Sequence, residues 1–493
     1  MTDSLSKKSI VHNAVFNVLY KLLNILFPLI SAGYVARILT PFGVGRAAVA
    51  QNNTSYFIVL AMLGIQAYSI REISRLRKNK ENADKLFSEI FIINAIMTAF
   101  AIIVFFFSVF SFKLFRDDIK LYLICGIVLY TNFFNIDWYF QAVEEYRFIA
   151  VRSAVIKLIS LLSILIFVHD KNDIYIFALI SSLSACGYYL LNVLYARRTV
   201  RFSIKGVNLK RHLRSLFMLA LCTVSTEIYA RLDITMLGIM KGEETVAYYS
   251  YSQRIVNLVV SFVIAVTAVF LPRLSFYYSK DKSEFNRLTK FGTDLMIFIS
   301  FPTCCGIASV AYPTIMVWLG SDYGEVVSCL IVLAFIIPLK CIGDIICYQV
   351  MLCAGQEFTL MVVYSLTVMI NGICNFFLIP VWGALGACIA SLISEIFVFV
   401  LVLFFSSKYR SFSIDCRNLI VVTLSSLIMV LVVVFVIGTI TNLFLRLIGG
   451  TVLGIVVFFS LNIAASNSFL KEEIINRIIT RVFVRRGDEH EKD

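Results

Sequence analysis

Apolar runs of about twenty residues, separated by short polar segments, follow one another along the 493-residue chain. They lack the alternation of barrel strands, and about twenty residues at 1.5 Å rise cross a hydrocarbon layer of about 30 Å, so the pattern predicts transmembrane helices. Spans are expected at 10–35, 47–68, 87–109, 119–140, 149–168, 174–195, 215–239, 246–271, 289–312, 327–351, 358–379, 384–406, 417–439 and 443–464. The first run, after Lys7 and Lys8, is too long for a signal-peptide core and has no small-residue cleavage site behind it, so it reads as a span. The fold class expected is an all-α polytopic membrane protein with about 14 transmembrane helices.

The longest basic linker divides this series. It predicts an N-lobe at 1–195 (spans 1–6), a cytoplasmic linker at 196–214 and a C-lobe at 215–406 (spans 7–12). Spans 13 and 14 follow at 407–464, then a basic cytoplasmic tail at 465–493. The halves resemble one another weakly. Gln141-Ala142-Val143-Glu144-Glu145-Tyr146-Arg147-Phe148 aligns with Cys353-Ala354-Gly355-Gln356-Glu357-Phe358-Thr359-Leu360, and Ser182-Leu183-Ser184 with Ser391-Leu392-Ile393. An even number of spans per half makes the repeat parallel, which implies two six-helix lobes around a central cavity. The stretch 470–486 carries Ile474, Ile475, Ile478 and Val482 among basic residues, a pattern shared by a surface-lying amphipathic helix and a solvated tail.

Polar residues inside the runs carry the functional information. In span one, Asn13, Asn17, Lys21 and Asn24 recur at i, i+4, i+8 and i+11 and share one helical face, with Lys21 near mid-depth. Span eight repeats the device with Ser250, Arg254, Asn257 and Ser261. Span seven holds Glu227, Arg231 and Asp233, where an i, i+4 ion pair competes with a ligand role. Lys340 follows Pro338 in span ten with Asp344 one turn on, and span five carries Arg152 and Lys157 in its cytoplasmic half, where snorkelling to headgroups competes. A cation at the bilayer centre costs about 2.5–3.5 kcal/mol on insertion scales, so those retained there face a wet cavity or a partner. A lining of Lys and Arg suits a phosphate or pyrophosphate group, and the neighbouring Asn and Ser suit sugar hydroxyls.

Composition agrees: 59% hydrophobic and 15% charged residues exclude a soluble globule. The net charge of +13 does not indicate nucleic acid. Of 44 Lys and Arg, eight fall in outer segments and six in spans, so most lie in segments that face inward, Lys290 at a span edge among them. This asymmetry sets both termini in the cytoplasm and accounts for the basic excess through anionic lipid. The twelve cysteines show no CxxC spacing, and the four histidines no second ligand nearby, so neither a disulfide framework nor a metal or other cofactor is expected. No Walker A, GxSxG or HExxH motif occurs and every outer loop is short, so no enzyme is expected. Asn52-Asn53-Thr54 and Asn53-Thr54-Ser55 match the glycosylation pattern but fall in span two.

Several segments resemble bacterial polysaccharide repeat-unit flippases (Wzx-like) of the multidrug/oligosaccharidyl-lipid/polysaccharide exporter superfamily. They are Tyr34-Val35-Ala36-Arg37-Ile38-Leu39, Tyr56 to Ile65, Ser69-Ile70-Arg71-Glu72-Ile73, Asp137-Trp138-Tyr139-Phe140-Gln141 and Leu232-Asp233 with Met236-Leu237-Gly238. Tyr248-Tyr249-Ser250, Leu271-Pro272-Arg273, Asn371 with Asn375, Leu378-Ile379-Pro380, Gly383 and Gly386-Ala387 continue the series, so that it extends over about residues 10–400. Two departures stand at the outer end of span one: Ser31-Ala32-Gly33, where relatives often carry a Thr/Pro-containing run, and Leu39-Thr40-Pro41, where they tend to have Leu-Gly-Pro. The resemblance implies a multi-pass protein of the bacterial cytoplasmic membrane that flips an undecaprenyl-pyrophosphate-linked oligosaccharide. Glycan and pyrophosphate would pass through the cavity while lobes rock, driven by an ion gradient or membrane potential, for O-antigen or capsule synthesis. A polysaccharide polymerase and a chain-length regulator are the expected companion proteins. A drug/cation antiporter of the same superfamily is the alternative and would favour a carboxylate-rich lining; a membrane glycosyltransferase or polymerase would show a large outer loop or a catalytic carboxylate motif.

Overall fold

The computed structural model describes residues 2–76, 79–203, 207–267, 271–408, 415–467 and 469–470, with side chains described except at 2–26, 28, 221–222, 271–273, 279 and 348. Among the described residues every regular element is helical, and eleven helical segments are long and apolar enough to cross a membrane. The difference from fourteen has a local cause at three places. Expected spans 10–35 and 47–68 fall in one helix, α1 (Thr2–Met62), which is interrupted at Thr40 with φ 58° and ψ 170°. Expected spans 358–379 and 384–406 likewise form α15 (Glu357–Ser406), interrupted at Gly383 with φ 56° and ψ −128°. Expected span 119–140 is broken into α5 (Ile119–Tyr130) and α6 (Asp137–Ala142) around a 3-10 turn at Asn132–Phe134.

These breaks are chemically readable. Pro380 and Gly383 end the first half of α15, and a Cβ placed on Gly386 would stand 2.3 Å from the Leu378 carbonyl oxygen, so the chain reverses there as a tight hairpin. At the 3-10 turn, backbone groups released from the helix must be satisfied inside the membrane. Asn94 donates to the Asn132 carbonyl at 3.0 Å, and the Asn132 amide donates to Thr98 at 2.9 Å.

The chain divides into two compact units, residues 1–247 and 248–493. The first contains α1, α2 (Ile65–Leu76), α3 (Lys80–Ser111), the short α4 (Lys113–Arg116), α5, α6, α7 (Tyr146–Phe167), α8 (Ile174–Thr199) and α9 (Lys210–Met240). Helix α9, which follows the basic linker 196–214, packs on α1 and α2. Asn52 and Tyr56 of α1 reach the Thr235 hydroxyl at 2.8 and 2.9 Å. The linker also folds back on α3. The Ser203 and Asn208 amides donate to Ser88 and Glu89, while Arg211 and His212 close on the fully buried Glu89 carboxylate.

The second unit receives α10 (Glu243–Thr267) from Tyr248 onward, then α11 (Leu271–Lys280), α12 (Lys282–Trp318), α13 (Glu325–Ala334), α14 (Ile336–Asp344), α15, α16 (Cys416–Gly438) and α17 (Leu443–Ala464). Asp281, Asp415 and Asn442 cap α12, α16 and α17, each side chain accepting two backbone N–H groups of its first turn. Outward faces such as Leu431, Phe435 and Phe404 remain uncovered by protein, as a lipid-facing surface requires.

Candidate functional site

Helical spacing and charge inside apolar runs put ten residues on the candidate list, and the structure separates those with described side chains by their surroundings. Asn13, Asn17, Lys21 and Asn24 lie on α1, whose backbone is helical there, but their side chains lie outside the described residues.

Arg152 on α7 is the most enclosed. Its side chain is 2% exposed, and Nη1 donates to Asp137 Oδ1 at 2.7 Å and to Asn192. The guanidinium also lies over Phe148 at 5.7 Å and Tyr188 at 5.3 Å. Asp137 opens α6, directly after the broken stretch, so this pair clamps that break to α7 and α8. Lys157, less than two turns further along α7, is half-buried. On α9, Arg231 pairs with Glu227 of its own helix at 2.9 Å, one turn from the Thr235 contact with α1.

The second unit presents its cations differently. Arg254 and Asn257 are exposed on α10 together with Ser261, along the predicted face. Arg254 lies 5.6 Å from the Tyr251 ring centroid, and no carboxylate is within ion-pair distance of it among the described residues. Ser250, one turn earlier, keeps a buried hydroxyl without a partner among the described residues.

Lys340 sits on α14, a nine-residue helical piece bounded by two irregularities. Pro338 cannot donate to the Ala334 carbonyl, and the helix is interrupted at Phe335; a π-helical stretch, Ile345–Met351, follows Asp344. The Lys340 ammonium faces Glu395 of α15 at 3.9 Å, beyond hydrogen-bond length. Ser391, one turn before Glu395, bonds the Tyr249 hydroxyl at 3.1 Å, which in turn accepts from Gln253 at 3.1 Å. Thus Ser391 and Glu395, at i and i+4 on α15, hold the Arg254 helix and the Lys340 helix on one face. Arg254 and Lys340 share no hydrogen-bond or ion-pair partner among the described residues.

Glu395 did not enter the sequence list, although it is a lone acid in the apolar run 384–406 and that solitude is a usable signal. Asp137 was noticed only as part of a motif; its pairing with Arg152 needed the fold. The Glu89 cluster gave no spacing signal, because Glu89 lies more than 120 residues from the adjacent Arg211 and His212.

The class of protein follows from the helical architecture. The structure matches a lipid II flippase MurJ in an inward-closed conformation with TM-score 0.75 at 16% identity, covering 94% of this chain and all of that one. It also matches an outward-facing multidrug-resistance MATE transporter of the MOP superfamily with TM-score 0.56 at 15% identity, over 82% of this chain and 95% of that one. The fold is therefore that of the MOP exporters. By sequence, the chain is 23% identical over 393 residues to a putative O-antigen transporter of Shigella dysenteriae, covering 77% of this chain and 96% of the relative. It is likewise 23% identical over 398 residues to the capsular polysaccharide biosynthesis protein CapF of Staphylococcus aureus, covering 77% and 94%. The family model described as polysaccharide biosynthesis protein matches residues 10–277, more than half of the chain, and the chain belongs to that family.

Proposed function

We propose that this protein is a flippase that carries an undecaprenyl-pyrophosphate-linked oligosaccharide from the inner to the outer leaflet of the bacterial cytoplasmic membrane by alternating access. Its product would feed O-antigen or capsule assembly, and both termini would lie in the cytoplasm. The observation that carries the reading is Arg254, an exposed intramembrane guanidinium on a face shared with Asn257 and Ser261, in a chain of the polysaccharide biosynthesis family. A forked guanidinium suits phosphate oxygens, and the amide and hydroxyl beside it suit sugar. Lys340, and Lys21 with its asparagines, extend the same chemistry. The protein acts as a transporter rather than an enzyme, with lipid and the lipid-linked glycan as its partners.

The test is export in a strain lacking its own flippase. Lys21→Ala, Arg254→Ala and Lys340→Ala are expected to abolish surface glycan and to accumulate the lipid-linked unit on the cytoplasmic side, with normal amounts of protein in the membrane. Loss of a charge-assisted contact worth about 1.5–3 kcal/mol weakens binding roughly 10- to 150-fold. Wild-type glycan in all three variants would refute the reading. Asp344 and Glu395 leave a drug/cation antiporter as the second reading; it predicts protection against cationic dyes that survives Arg254→Ala.

A further inference from the structure

Among the described residues four arginines lie over an aromatic ring: Arg46 over Tyr175, Arg71 over Tyr68, Arg152 over two rings and Arg254 over Tyr251. In the first three, N–H groups of the guanidinium are already engaged. Arg46 holds Asp118 and Tyr175, Arg71 holds Glu72, and Arg152 holds Asp137 and Asn192. Arg254 stands exposed near the middle of α10 and has no hydrogen-bond or ion-pair partner among the described residues. The Tyr251 ring that carries it is 3% exposed and is held edge-to-face by two others. Trp318, the last residue of α12, meets it at 5.7 Å and 84°, and Tyr323, in the 3-10 turn Ser321–Tyr323, at 5.2 Å and 89°. The Tyr251 hydroxyl is also hydrogen-bonded to Tyr323. The adjacent Ser252 donates to the Val326 carbonyl at 3.3 Å, which ties this turn of α10 to α13.

We propose that Tyr251 is the positioning residue for Arg254: its ring covers one face of the guanidinium and fixes the plane, so that the N–H edge is presented to pyrophosphate oxygens. This rests on the flippase reading and names what orients its cation. A guanidinium binds phosphate through two N–H groups only in its own plane. An unsupported arginine samples many rotamers and gives up that freedom on binding, whereas one already resting on a fixed ring has given it up in the fold. Helix side chains lean toward the helix N-terminus, so Tyr251, three residues before Arg254, lies under the path of the arginine stem. The ring by itself does not explain a cation here. A cation–π contact at an exposed site stabilises it by less than insertion at mid-membrane costs. The guanidinium therefore calls for an anion that the described residues do not supply.

The test measures binding of N-acetylglucosaminyl-pyrophosphoryl-undecaprenol to the full-length protein in detergent, with the melting temperature recorded for every variant. Tyr251→Leu is expected to weaken binding about 2- to 12-fold, the cost of ordering one released side chain when the ligand arrives. Tyr251→Phe keeps the ring and loses the hydroxyl bond to Tyr323, so it should melt earlier yet bind within about twofold of wild type. Arg254→Ala should bind roughly 10- to 150-fold more weakly, and adding Tyr251→Leu to it should cost nothing further. Three results overturn the positioning role while the flippase reading stands: wild-type binding by Tyr251→Leu, an equal loss in Tyr251→Phe and Tyr251→Leu, or the same Tyr251→Leu loss with and without Arg254. Absence of probe binding by the wild type overturns the flippase reading, and the positioning role with it.

Discussion

Replacing Arg152 by alanine separates a structural cation from a ligand. The side chain is 2% exposed, bonded to Asp137 and Asn192 and stacked on two rings, so no surface of it is left for a passing headgroup. Breaking a buried ion pair by removing one partner costs about 3–5 kcal/mol, because the remaining charge stays desolvated. Asp137 is 27% exposed and retains its Asn192 contact, so the lower end applies, about 3 kcal/mol, the rings adding about 0.5–1 kcal/mol. For a unit of 247 residues the sum, about 3.5–4 kcal/mol, corresponds to a fall in Tm of about 7–16 °C by soluble-domain scaling. The assay is thermal unfolding in detergent, with membrane abundance and glycan export measured on the same variants. Arg152→Met combined with Asp137→Asn removes both charges at similar volume and is expected to recover most of the stability and the export. If the double variant melts normally but exports nothing, Arg152 contacts substrate and the clamp account is wrong; normal melting of Arg152→Ala alone is equally decisive against it.

Two backbone positions give further tests. Thr40 is a β-branched residue at φ 58° and ψ 170°, a region that costs about 1–3 kcal/mol for a side chain. Thr40→Gly relieves that strain and loses about 0.5–1 kcal/mol to unfolded-chain entropy, so a net gain of about 1 kcal/mol is expected in the same melting assay; a lower Tm would show that the threonine is not strained. Gly386→Ala forces a methyl against the Leu378 carbonyl oxygen and is expected to destabilise the second unit by about 2 kcal/mol or more, read as lower abundance and earlier proteolysis of α15.

Thr40 and Gly383 also show where reading the chain succeeds and where it stops. Boundaries between consecutive spans were expected in both places, but only the backbone showed that the helical segments join through a single non-helical residue. The departure from Leu-Gly-Pro at Thr40 proved to fall on a backbone conformation glycine would adopt freely. The polar face Arg254, Asn257 and Ser261 was legible because helical period alone aligns those residues, and the exposed face follows it. Arg152 was legible as an intramembrane cation, yet the competing explanations for it were snorkelling and substrate. The contacts behind a third account, a clamp on the break between α5 and α6, depend on Asp137 and Asn192 arriving from two other helices.

Composition and periodicity by themselves determined the solvent of this protein, its helical class and which residues are out of place in lipid, because the bilayer penalises each charge independently of its neighbours. Tertiary structure decided what stands beside each of those charges whose side chain is described. Arg231 carries its partner Glu227 at a spacing the chain shows, whereas Arg152, Arg254 and Lys340 look alike in the chain and differ in burial and in the presence and distance of a carboxylate from another helix. Pairing depends on distance and burial, which helical spacing does not encode once the partner lies on another helix.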